Sequence, residues 1–130
     1  MLTLFETFSE QGRLCAPDRP ALPFDKLPWE PHPSFEGVEL KHLVTGRETG
    51  GQFSYHLVRV APGRVIGLHT HQTQLETHEV LAGGGACLCA GETLDYAPGV
   101  LAVLPKGVPH EVRAGAEGLC LFAKFLPALL

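Results

Sequence analysis

Basic residues are scarce and scattered. Ten Lys and Arg stand against fourteen Asp and Glu, for a net charge of −4, and nowhere do the ten cluster. That removes the electrostatic footprint of a nucleic-acid binder. No apolar run approaches the length of a membrane span. The opening "MLTLFETFSEQ" has no basic stretch followed by an apolar one, so no secretory signal is expected. The four cysteines, Cys15, Cys87, Cys89 and Cys120, form no CxxC pair. They are expected to be free, largely buried thiols of a cytoplasmic protein. An extra ligand or redox role for Cys87 or Cys89 is the alternative. Internal repeats and low-complexity tracts are absent, and from residue 37 onward so is any helical periodicity.

Two regions remain. Residues 1–34 open with a short segment in which Leu4, Phe5 and Phe8 fall on one side of a possible helix. A proline-dense stretch follows, carrying Phe24, Leu27 and Trp29. Proline fixes φ and lacks a backbone donor, so this reads as an extended arm. It is expected to cover its own domain or to reach a second subunit. Residues 35–130 read as short β runs punctuated by turns, which fits an all-β jelly roll or small barrel. "VIGLHTH" and "THEVLAGGG" read as a hairpin within it.

That hairpin is unusually polar for a barrel. Residues two apart in a strand share a face, so His69 and His71 point the same way, as do Glu76 and His78. A turn at Pro105–Gly107 delivers His110 to the start of another strand. Three imidazoles and one carboxylate suit a divalent transition metal, with open positions left for water, substrate or dioxygen. His78 is read as orienting a ligand or touching substrate, or else as a histidine bonded inside the barrel. His56 shares a face with Ser54 and Val58 and is placed at the surface or in the pocket. Gln74 sits in the loop near the mouth, whereas Glu79 and Arg59 read as surface charges and Tyr96 as part of the core or an interface.

The spacing resembles the two motifs of the cupin superfamily. Gly63, His69, His71, Glu76 and Gly83 fill the first; Gly99, Pro105, Gly107 and His110 fill the second, whose final Asn is Ala114 here. The resemblance covers residues 37–126 and implies a cupin-type double-stranded β-helix. It implies His69, His71, Glu76 and His110 as ligands to Fe, Mn, Ni or Zn. It leaves two readings open. One is a small metalloenzyme of dioxygenase, lyase, isomerase or decarboxylase type, acting on a small organic acid or carbonyl compound. There His78 and His56 would be the catalytic proton carriers. The other is a non-catalytic module that binds or senses a small molecule. The apolar runs "VLAVL" and "ACLC" argue against a sugar nucleotide as ligand. The expected partners are a small molecule and a second copy of the chain in a homodimer, with no nucleic acid and no membrane.

Overall fold

A computed structural model describes all 130 residues. Ten strands form in chain order: β1 (Arg13–Ala16), β2 (Arg19–Pro23), β3 (Glu30–Pro31), β4 (Val38–Val44), β5 (Ser54–Val60), β6 (Val65–His69), β7 (Leu75–Cys89), β8 (Glu92–Tyr96), β9 (Leu101–Leu104) and β10 (His110–Leu126). All pairings are antiparallel. Two short α-helical turns accompany them, α1 (Leu4–Glu6) and α2 (Gly46–Thr49), with a π turn at Thr7–Gln11 and a 3-10 turn at Phe24–Lys26. No helix is long and apolar enough to cross a membrane.

β7 and β10 organise the domain. The second half of β10, from Leu119, pairs with β5 on one side and with the first half of β7 on the other. Its first half pairs with β6 and with the second half of β7. One layer therefore runs β3-β4-β5-β10-β7-β9 and the other β6-β10-β7-β8. The long strands pass between layers where their register breaks, at residues 115–118 of β10 facing Gly83–Gly85. Gly83 has φ +74°, and a Cβ there would lie 2.1 Å from the Gly118 carbonyl oxygen. Only glycine fits such a crossing.

Three expectations change. β6 and β7 are not a hairpin: neither pairs with the other, and both flank β10. The β runs are not all short: His110–Leu126 is one continuous strand, β10. α2 interrupts the β region, set by a capping box in which the Thr45 hydroxyl and the Glu48 carboxylate satisfy orphan backbone N–H groups.

Two apolar clusters hold the fold. The larger lies between the layers and includes Val58, Val112, Leu121 and Phe125. The smaller lies on the outer face, where Leu43 and Leu57 meet Phe24, with Phe5, Phe8, Leu27 and Trp29 packed alongside. Residues 1–34 thus cover their own subunit. β3 adds to the edge of the sheet, the position a strand containing Pro31 tolerates. The Lys41 ammonium, buried on that face, donates to the carbonyls of Ser9 (3.1 Å) and Phe24 (2.7 Å). Burial lowers its pKa. Among the cysteines, Cys87 and Cys89 are buried as expected, whereas Cys15 is exposed and Cys120 half-buried, so the thiols are free but not uniformly enclosed.

Candidate metal centre

His69, His71, Glu76 and His110 come together, with their potential ligand atoms all within 4.8 Å of one another. They arrive from both layers. β6 and the start of β10 bring His69 and His110 face to face in register. Glu76 is the second residue of β7, on the other layer. A backbone bond from Gly107 N–H to the His71 carbonyl (2.9 Å) ties the loop after β6 to the turn before β10.

Simple alternation does not explain His69. Ile66 and His69, three residues apart, both face inward, because the register of β6 against β10 shifts between them. Leu68 is thrown outward and is 69% exposed. At this irregularity the Gly67 carbonyl accepts from His69 Nδ1 at 2.7 Å. That fixes the tautomer and leaves Nε2 as a free lone pair, the form a metal requires.

Glu76 uses its two oxygens differently. Oε2 accepts from His78 Nε2–H at 2.7 Å. His78 Nδ1 in turn accepts from the Tyr96 hydroxyl at 2.9 Å. Oε1 lies 3.1 Å from His110 Nε2 and 3.5 Å from His71 Nε2, yet it has no hydrogen-bond partner, and neither has His110 Nε2. Both residues are almost wholly buried. Buried polar atoms without partners are costly and uncommon. A shared cation would satisfy both. Donors about 2.1 Å from a common ion lie up to about 4.2 Å apart, so the cluster requires only a small closure.

The electrostatics favour the same occupant. Burial alone would raise the Glu76 carboxyl, but His78 and His110 beside it hold it well below the usual carboxylate range. Burial lowers the pKa values of His69 and His71, keeping both neutral near pH 7. Neutral imidazole and ionised carboxylate are the ligand forms metals bind.

The cluster forms the polar end of a cavity of about 80 Å³. Its other walls are apolar, as expected, but β4, β5, β6 and β10 supply them rather than "VLAVL" and "ACLC". His78 lines the cavity; His56 does not. His56 lies deeper, fully buried, with Nε2 2.8 Å from the Ser54 hydroxyl and Nδ1 2.7 Å from His42 Nδ1. His42 continues through Nε2 to Glu30 at 2.9 Å. Neither Cys87 nor Cys89 belongs to the ligand cluster. Gln74 bonds the Ala128 carbonyl at 3.4 Å, Glu79 pairs with Lys124, and Arg59 lies over the Trp29 ring.

Two contributors escaped the sequence reading. Tyr96 reads from the sequence as a core or interface residue, and nothing local marks it as the brace of His78. His32 lines the cavity mouth from within the proline-rich stretch. It accepts from Ser34 N–H at 3.0 Å through Nδ1, a two-residue side-chain turn that "HPS" could have flagged.

Comparison with known proteins agrees with this fold. The family model described as Cupin domain matches residues 56–122, just over half of the chain. A predicted oxalate decarboxylase from Thermotoga maritima superposes with a TM-score of 0.73 at 21% identity, over 79% of this chain and 95% of that one. KdgF from a Halomonas species gives 0.69 at 20% identity, over 79% and 90%. The polyketide cyclase RemF from Streptomyces resistomycificus gives 0.68 at 21%, over 79% and 75%. At such identities these likenesses establish the fold alone. No curated protein matches the chain.

Proposed function

The chain belongs to the cupin family, and on that premise we propose that it is a small metalloenzyme acting on an organic acid or carbonyl compound. The observation that carries this is the pair of orphaned buried atoms, Glu76 Oε1 and His110 Nε2, at the polar end of an apolar cavity. His69, His71, Glu76 and His110 would hold Fe, Mn, Ni or Zn. A divalent ion there supplies Lewis acidity and, for Fe or Mn, a redox centre. His78 would keep Glu76 a one-oxygen ligand and, with a ring at the cavity wall, carry a proton. His56, joined to the solvent side through His42 and Glu30, would be the second carrier. Dioxygenase, lyase, isomerase and decarboxylase chemistry all fit this set. The relatives described as an oxalate decarboxylase and a polyketide cyclase span similar variety.

A second reading, a module that binds or senses a small molecule, is favoured by one detail. Both nitrogens of His78 are already bonded, which leaves the cavity poor in free acid–base groups. Elemental analysis of chelator-free protein, offered Fe(II), Mn(II), Ni(II) and Zn(II) in turn, separates these. One equivalent of a redox metal with oxygen uptake on small acids supports the enzyme. Stable metal without turnover of any such compound favours the sensor, and no metal at all rejects the metalloenzyme.

A cytoplasmic homodimer completes the proposal. Free thiols support the compartment. With Phe24 buried in its own subunit, the exposed Leu101 and Val103 on β9 are the support for self-association. A monomer by light scattering at micromolar concentration would reject the dimer.

A further inference from the structure

The wall of the cavity carries no lysine, no arginine and no carboxylate besides Glu76. Its polar side chains are the four candidate ligands, His78 and His32. His78 is committed to Glu76 and Tyr96. His32 stands at the mouth, where it also lines the neighbouring outer cleft. Everything else facing the cluster is aliphatic or aromatic, notably Val38, Val58, Ile66, Val112, Leu121 and Phe125.

The charge follows from the donor set. One carboxylate and three neutral imidazoles around a divalent ion leave a single positive charge in a buried, apolar site. A ligand with one negative charge brings that site to neutrality. A ligand with two leaves a buried charge facing hydrocarbon, with no cation to pair it. We infer that the cavity selects a monoanion with one polar, metal-facing end and an apolar body of a few carbons, and that it discriminates against dicarboxylates. This rests on the metal reading above. It sets the chain apart from what the description of its Thermotoga neighbour would lead one to expect, since oxalate carries two carboxylates.

The test uses full-length protein loaded with Co(II), whose visible absorption reports both coordination and ligand entry. Acetate, butyrate and succinate are titrated at fixed ionic strength near pH 7.5, where both succinate carboxyls are ionised. The two added methylenes should make butyrate bind roughly ten-fold tighter than acetate. Succinate, equal in carbon number to butyrate but doubly charged, should bind at least about ten-fold more weakly than butyrate. Succinate equal to or tighter than butyrate, acetate equal to butyrate, or no response to any of the three would overturn the inference while leaving the metal site standing. A spectrum identical in wild type and His110→Ala would show that cobalt binds elsewhere, and would remove the metal reading and this inference together.

Discussion

Two groups of buried histidines share this small domain, and they differ in what their nitrogens meet. His56 is fully buried with both nitrogens engaged, one by Ser54 and one by His42, which hands on to Glu30. A single set of neutral tautomers satisfies the whole row: Ser54 O–H donates to His56 Nε2, His56 Nδ1–H to His42 Nδ1, and His42 Nε2–H to Glu30. His110 is buried to 2% exposure with neither nitrogen bonded. Residue type and burial are alike; only the partners differ. A completed row stabilises the fold as it stands, whereas an incomplete one costs stability until something binds. The difference separates a histidine whose bonds are complete from one whose bonding capacity is unused.

The largest expected effect breaks the incomplete group. His110→Ala should abolish stoichiometric metal binding, with affinity lowered more than about 100-fold, while His42→Ala should keep it. Equal metal content in the two variants, by elemental analysis, would erase the distinction. The next effect probes the completed row. Burial, and then His42 beside it, push His56 down to about 4 from its ordinary 6.5. As pH falls, the unfolded chain takes up this proton first. The contribution to stability is therefore whole above pH 6.5 and is lost progressively as pH drops towards 4. The full span corresponds to about 3 kcal/mol. His56→Gln should flatten this part of the stability curve, measured by urea unfolding across that window, and an unchanged slope would assign the acid sensitivity elsewhere. The smallest effect lies between the two groups. Tyr96→Phe removes the hydroxyl that braces His78 without emptying the core. Metal affinity should fall by up to about ten-fold with the melting temperature of the metal-free protein little changed. Unaltered affinity would mean that Glu76 needs no such support.

The comparison also explains what the sequence could disclose. His69, His71, Glu76 and His110 were legible because a metal site demands particular residue types at particular separations, and turns at Gly63, Gly99 and Gly107 punctuate them with positive φ. The pairing of β6 was not legible. Its partner is β10, some forty residues away, and short-range alternation favours the adjacent β7 instead. The shift between Ile66 and His69 defeats period-two reasoning outright, since by alternation Ile66 would take Leu68 inward and leave His69 outside. Phe24, Leu27 and Trp29 were correctly read as needing an apolar surface. That surface is the outer face of β4 and β5, where Leu43 and Leu57 lie, and no local pattern says that both faces of β5 are covered. Both faces are: His56 looks into the domain, and Leu57 lies under residues 1–34. The pairing of Glu76 with His78 follows from their two-residue spacing, whereas the Tyr96 bond to His78 has no local signature and surfaces only in three dimensions.

The four candidate ligands are divided between the two layers, with His69 and His110 on one and Glu76 on the other. An ion seated among them is a removable cross-link between the sheets, holding together segments that are distant in the chain. Folding and metal supply are then coupled by mass action: free metal at a hundred times its dissociation constant adds about 2.7 kcal/mol to stability. With metal bound at this site, the amount of folded protein would depend in part on the metal available while it was made.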